Sequence, residues 1–301
     1  MKIAITGATG LVGSELARAL VLEGHELLLL SRDPSNAEKK LALKAKYIKW
    51  PPPAQSLEAT DAVIHLLGES IAEKRWTAAQ KKEIRDSRVE STRELVTQLK
   101  ALKKPPRILL AASAVGYYGS RGNEVLTENS KPAADFLAEV CVEWEREAQA
   151  YESIGRTVRV RTGVVLSAKG GAFPKMMMPF NLGAGGKLGT GEQWFSWIHL
   201  SDLIAIYKHL LRANHISGPV NAVAPNPVTN KDMTDKVSKH LGRPALLPVP
   251  RFALRLAVGE MADAILASER VKPAVLESSG FHFRYPELSG ALNELLPKQK
   301  R

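Results

Sequence analysis

The stretch Lys2-Ile3-Ala4-Ile5-Thr6-Gly7-Ala8-Thr9-Gly10-Leu11-Val12-Gly13 decides the fold. Ile3 to Thr6 reads as a short buried strand. Glycines follow at once, spaced Gly-x-x-Gly-x-x-Gly. A helical pattern comes next: Val12, Leu16, Ala19 and Leu20 share one face, and Gly24 stops it. Strand, glycine turn and helix in that order form a dinucleotide-binding fingerprint with its context intact. Gly7 permits the tight turn. Gly10 lets the backbone approach a pyrophosphate with no Cβ between them. Gly13 lets the helix pack close to the sheet. The helix start offers free N–H groups and a partial positive charge to phosphates. An ordinary strand-to-helix turn is the plainer alternative.

The chain has 301 residues, 45% of them hydrophobic, enough for one large domain or a domain with a smaller lobe. Cys141 is the only cysteine, so no internal disulfide can form, and a reducing compartment is expected. The fold begins at residue 2 or 3, which leaves no room for a targeting segment. No apolar run is long enough to span a bilayer. The expectation is a cytoplasmic protein with no membrane partner. The net charge of +11 could serve nucleic acid. The basic residues are dispersed, however, apart from Lys81-Lys82 and Lys298 to Arg301, and no nucleic-acid motif accompanies them. The charge reads as a basic surface that partly focuses an anionic cofactor. The histidines and carboxylates show no metal-ligand spacing, so no metal site is expected.

The second strand, His25 to Ser31, carries Leu27-Leu28-Leu29-Leu30, as a strand buried on both faces should. Its end reads Ser31-Arg32-Asp33-Pro34. A protein that binds NAD usually places an acid there for the ribose 2′-hydroxyl. Arg32 suits a 2′-phosphate instead, because it is always charged and presents a planar fork of donors. Ser31 can add a hydroxyl. Asp33, one position late and pinned by Pro34, is the rival. The cofactor expected is NADP(H).

Further strands are expected at Lys46–Lys49, at Asp61 to Leu67 before Gly68, at Arg107–Ala112 and at Arg156–Val165. Thr77 to Leu102 and Asp135 to Tyr151 read as helices, as do Asn230 to Leu241 and Arg251 to Leu266. Residues 170–195 are rich in glycine, methionine and aromatics, and read as a loop that closes a cleft or covers core. His199 and Asp202 fall at a strand-to-helix junction, where Asp202 reads as a helix cap. Alternating strands and helices predict an α/β fold with a doubly wound parallel sheet. Residues 1–225 form the cofactor domain in this reading, and 226–301 a small, mostly helical lobe over the carboxyl ends of the strands. A small-molecule substrate is expected in the cleft between them.

The glycine turn, with Thr6 before it and Ala8-Thr9 inside it, resembles the extended short-chain dehydrogenase/reductase superfamily. Arg75-Trp76, Lys82-Glu83-Ile84 and Ser87-Arg88-Val89 narrow the resemblance to an atypical branch, the epimerase-family proteins, with its own C-terminal domain. The resemblance implies that Gly7, Thr9, Gly10, Leu11, Val12 and Gly13 hold the cofactor, with Ser31 and Arg32 at its 2′ end. It implies further contacts from Leu66, Leu67, Gly68, Glu83, Arg88 and Val165. A solvated helix face is the plainer reading of Glu83 and Arg88. The resemblance also implies a homodimer through Thr77 to Leu102.

Ser113-Ala114-Val115-Gly116-Tyr117-Tyr118-Gly119 resembles the superfamily's serine-rich turn, which makes Ser113 a catalytic candidate. The superfamily pairs that serine with Tyr-x-x-x-Lys. Here Phe136 and Val140 occupy those places, and neither can carry a proton. Tyr117 is the best remaining proton donor, with Arg121 four residues on. Two readings stand. One is an NADP-dependent oxidoreductase or epimerase, at best slow, acting on a small carbonyl or hydroxyl compound. The other is a non-catalytic NADP(H)-binding redox sensor.

Overall fold

The computed structural model describes residues 1–245 and 247–296. The basic tail Lys298 to Arg301 lies outside them. The chain runs β1 (Lys2–Thr6), α1 (Leu11–Leu22), β2 (Glu26–Ser31), α2 (Pro34–Leu41), β3 (Lys46–Lys49), β4 (Ala62–His65), α3 (Ala78–Lys100) and β5 (Ile108–Ala114). It continues through β6 (Val125–Leu126), α4 (Phe136–Gln149), β7 (Arg156–Thr162), β8 (Val164–Leu166), α5 (Ala172–Asn181), β9 (Trp194–Phe195), β10 (Trp197–His199) and α6 (Leu200–Arg212). It ends with β11 (Gly218–Ala222), β12 (Val228–Thr229), α7 (Asn230–Leu241), α8 (Arg251–Val258), α9 (Met261–Ile265), β13 (Arg270–Val271), α10 (Ala274–Ser278) and α11 (Leu288–Leu295).

Seven strands form one sheet in the order β11-β7-β5-β4-β1-β2-β3, every neighbouring pair parallel. The chain builds outward from β1 to β3, then crosses back to β4 and builds the other way. The reversal lies between β1 and β4, and a doubly wound sheet opens its ligand crevice at that point. Side-chain alternation along the strands feeds two cores. Ile3, Ile5, Leu27 and Leu29 pack under α1 and α6, whereas Ala4, Leu28 and Leu30 pack with Leu95 and Leu99 of α3. Four leucines in a row are therefore all buried, and they anchor the strand whose end carries Arg32.

The α/β class and the doubly wound sheet match the sequence reading, and the departures have local causes. The strand expected over Arg156–Val165 breaks at Gly163. A Cβ there would lie 2.8 Å from the Ser196 carbonyl oxygen, so the close approach needs glycine. Beyond it β8 leaves the main sheet and pairs with β10. Residues 170–195 are not all loop: α5 buries Phe173 and Met177 in a second core with Trp197, Met233 and Leu292. The helix expected over Arg251–Leu266 is two helices, broken at Gly259 with φ +69°. Asp202 is not the cap of α6. His199 caps it by accepting from the Ser201 N–H. The buried Asp202 carboxylate instead accepts from the Arg284 and Tyr285 N–H groups, both at 2.9 Å, and ties the C-terminal segment to α6.

That segment covers the molecule in two places. α7 and α11 pack around Trp197, and Leu276 of α10 joins the main core. α8 and α9 are tied to the start of α3. Arg75 donates to the Ala257 carbonyl at 2.8 Å, and Lys81 pairs with Glu260. Among the described residues no helix is long and apolar enough to cross a membrane.

Candidate functional site

The glycine turn rests on a directed chain of hydrogen bonds. Gly7 has φ +69°, and a Cβ there would lie 2.7 Å from the Leu66 carbonyl oxygen. Beside it, the Thr6 hydroxyl accepts from the Leu66 N–H at 3.0 Å. The Thr92 hydroxyl donates to the Arg88 carbonyl at 2.7 Å, so it must accept from His65 Nε2 at 3.0 Å. His65 Nδ1 then accepts from the Thr6 hydroxyl at 2.8 Å. The chain requires neutral His65, and burial drives its pKa down to about 3.

Below pH 6.5 the unfolded chain takes up this proton and the folded one does not, so stability falls as pH falls from 6.5 toward 3. The expected slope from this group is about 1.4 kcal/mol per pH unit. Urea unfolding at several pH values should lose that part of its slope in His65→Gln. An unchanged slope would refute the assignment.

The helix start fits a phosphate. α1 opens at Gly10 with no side-chain cap, which leaves first-turn N–H groups free. Gly10 is exposed, and a Cβ on it would meet only the Gly7 carbonyl oxygen, at 3.3 Å. The space before the helix is open. Gly13 is the opposite case: its Cβ would lie 2.2 Å from the Gly7 oxygen. Thr9, Leu11 and Val12 are half-buried around this cradle, and Lys40 donates to the Thr9 carbonyl at 2.9 Å. Leu66 and Val165 are half-buried against the main core, Leu67 is half-buried, and Gly68 is exposed just past β4.

At the end of β2 the rival residues separate. Asp33 caps α2, its carboxylate accepting from the Asn36 N–H at 3.0 Å. Ser31 Oγ donates to the Asp33 carbonyl at 3.1 Å and shapes that turn. Arg32 is exposed and, among the described residues, makes no hydrogen bond or ion pair.

Arg88 comes up under Gly68. A Cβ on Gly68 would lie 3.1 Å from the guanidinium carbon. One nitrogen donates to the Ile84 carbonyl at 3.0 Å, and the group stands 5.4 Å from the Trp144 ring. Burial lowers its pKa. Glu83 is exposed on α3 and makes no hydrogen bond or ion pair among the described residues.

Ser113 and Tyr117 belong to a buried network. Ser113 donates to Glu145 Oε1 at 2.7 Å. Arg161 grips both Glu145 oxygens, at 2.7 and 2.8 Å, and donates to the Tyr118 hydroxyl at 2.9 Å. The Tyr118 hydroxyl donates to Asn221 at 2.7 Å, and burial pushes its pKa up to about 12. The Arg161 guanidinium stacks 3.5 Å from the Tyr117 ring centre. Ser113 therefore spends its proton on Glu145, and the Tyr117 ring is the bed of a cation.

A cleft of about 380 Å³ opens beside this network. Gly116, Gly119, Phe136 and Leu137 line one side, and Arg251, Glu260, Asp263 and Glu269 the other. Trp76 closes one end, 5.4 Å from the Phe136 ring and nearly edge-on to it. Tyr117 does not line it. Among the described residues, no three His, Cys, Asp or Glu side chains gather as a metal site.

Residues 3–222 match the model of the NAD dependent epimerase/dehydratase family. The chain belongs to that family. Residues 249–295 match a domain of unknown function, DUF1731. An epimerase family protein of Bacillus subtilis, YfhF, is 40% identical over 100% of this chain and 99% of its own. The Arabidopsis thaliana SDR39U1 homolog, described as chloroplastic, is 37% identical over 98% of this chain and 87% of its own. The crystal structure of human epimerase family protein SDR39U1 (isoform 2) with NADPH superposes with a TM-score of 0.89. It is 34% identical, over 98% of this chain and 99% of that one.

In this epimerase/dehydratase chain Phe136 opens α4, and Val140 is buried one turn on. The sequence reading missed Glu145 and Arg161. For Glu145 the signal was a charge on an otherwise apolar face, shared with Ala138, Cys141 and Ala148 of α4; for Arg161 it was a charge in a strand interior to the sheet.

Proposed function

We propose that this family member binds NADP(H) in preference to NAD(H), and acts as an oxidoreductase or epimerase on a small carbonyl or hydroxyl compound. One observation carries the cofactor choice: Asp33 Oδ1 caps α2, while Arg32 has no partner among the described residues. The acid that could hold a ribose 2′-hydroxyl is engaged at the start of α2, and a 2′-phosphate has a guanidinium. The human relative crystallised with NADPH supports the reading. Gly7 to Gly13, Leu66 to Gly68, Arg88 and Val165 are the residues to hold the cofactor, which when bound supplies or accepts a hydride. The cleft beside Phe136 is the substrate's place. The compartment is reducing and cytoplasmic in this reading, in keeping with the one buried thiol, Cys141, which burial pushes up to about 12. The absence of an ionisable group at Phe136 and Val140 favours the sensor as second reading.

A charge-assisted hydrogen bond is worth about 1.5–3 kcal/mol. Arg32→Ala should therefore weaken NADPH about 10- to 100-fold and leave NADH nearly unchanged. Fluorescence titration of both cofactors measures this. Equal affinities in the unmutated protein would overturn the choice of NADP(H).

A further inference from the structure

The cleft beside Phe136 holds one carboxyl group unlike its neighbours. Glu260 pairs with Lys81 of α3. Asp263 pairs with Arg251 at 2.8 Å and Arg255 at 3.2 Å. Asp135 caps α4, accepting from the Leu137 and Ala138 N–H groups at 3.0 and 3.1 Å. Each of these acids has a cation or a pair of N–H donors. Glu269 lines the same cleft half-buried, and among the described residues its carboxyl has no hydrogen bond and no ion pair.

The backbone holds Glu269 in place. Its N–H donates to the Trp194 carbonyl at 3.1 Å, and its carbonyl accepts from Ser196 Oγ at 2.6 Å. On either side, Ser268 donates from its hydroxyl to the Gly122 carbonyl, and β13 pairs with β6. The neighbouring Arg270 is turned away, with its guanidinium 4.3 Å from the Trp194 ring. A firmly seated backbone thus presents an unpaired carboxyl to a cleft whose opposite wall carries Phe136.

We infer that Glu269 is the proton-carrying group of this cleft and donates to the oxygen of a substrate carbonyl. The inference rests on the reading of the chain as an NADP(H)-dependent oxidoreductase. The carbonyl carbon gains a hydride from NADPH, the reductant, which leaves as NADP⁺. The carbonyl oxygen takes the Glu269 proton and becomes a hydroxyl. Glu269 is left as a carboxylate and regains its proton from water. Burial, and then the charge of Asp135, hold this carboxyl up at about 8, so it carries a proton at neutral pH.

The test has a spectroscopic arm and a kinetic arm. Protein labelled with [5-¹³C]glutamate is titrated by NMR with and without NADPH. One carboxyl resonance should titrate near pH 8, vanish in Glu269→Gln, and move to lower pH in Asp135→Asn, where a negative charge is removed while asparagine still caps the helix. NADPH oxidation is then followed with 4-nitrobenzaldehyde and a panel of α-keto acids. The rate should fall as pH rises through that value. Glu269→Gln should lower kcat/KM by about 10²- to 10⁴-fold, with NADPH affinity by fluorescence unchanged. Glu269→Asp should keep the alkaline limb at a reduced rate. If no glutamate titrates above pH 6, or if Glu269→Gln turns over at the unmutated rate, the inference is overturned. It is equally overturned if the unmutated protein oxidises NADPH with none of these probes. The cofactor reading is scored separately, by NADPH binding alone.

Discussion

Gly10→Val should weaken binding of NADPH and NADH alike by about 10²- to 10⁴-fold while the protein stays folded, and Gly13→Ala should damage the fold itself. The two glycines stand three residues apart in one turn, and their surroundings differ. A Cβ on Gly10 meets only the Gly7 carbonyl oxygen at 3.3 Å, so valine projects into the open space before α1. The free N–H groups of the first turn point into that space. Filling it costs a pyrophosphate its charge-assisted hydrogen bonds. Two such bonds, at about 1.5–3 kcal/mol each, correspond to about 10²- to 10⁴-fold in affinity. A Cβ on Gly13 would lie 2.2 Å from the Gly7 oxygen and 2.8 Å from Ala8 Cα. Both are backbone atoms, so α1 must move off the turn, at about 1–3 kcal/mol for overpacking. Urea unfolding and fluorescence titration on both variants check the contrast. A folded Gly10→Val protein with normal NADPH affinity would place the cofactor elsewhere.

The contrast also shows where sequence is legible. The glycine turn could be read because every determinant lies within Lys2 to Gly13, and the pattern changes period at the turn. The end of β2 was half legible. Arg32 and Asp33 both suit a ribose end, and only the structure shows Asp33 occupied by the Asn36 N–H. The sequence did carry the signal: an acid followed by proline marks the start of a helix, here α2. Asp202 misled for the same reason in reverse. An acid in a helix's first turn resembles a cap, but its carboxylate is spent on residues more than eighty positions away. Nothing local reveals that. Ser113 and Tyr117 were found by pattern, but their working state is set by Glu145 and Arg161, brought in from another helix and another strand. α5 was hidden because proline, glycine and methionine read as loop. Glu269 carried no signal at all, since a carboxyl's lack of partners is a fact of three dimensions.

The largest stability effect is expected at that buried pair. Glu145 is 6% exposed and Arg161 3%. Their charges are matched by two short hydrogen bonds, 2.7 and 2.8 Å. Bringing both charges out of water costs much of what their attraction returns, so the intact pair contributes little net stability. Removing one partner leaves the other charge buried and unmatched. Glu145→Ala should then lower the unfolding free energy by about 3–5 kcal/mol, and Arg161→Ala by a similar amount. Ser113→Ala removes one donor and leaves the pair gripped, so about 1 kcal/mol is expected. Replacing both charges with apolar side chains, Glu145→Leu with Arg161→Met, should recover part of the loss. Recovery stays incomplete because the Ser113 and Tyr118 hydroxyls and the Glu128 carbonyl lose their shared partners. Urea unfolding of the single and double variants closes a double-mutant cycle, and a coupling energy of several kcal/mol is expected. A cost below about 1 kcal/mol for Glu145→Ala would mean that water reaches and screens the pair. Ser113 would then be as free to turn its proton toward a substrate as the sequence alone suggests.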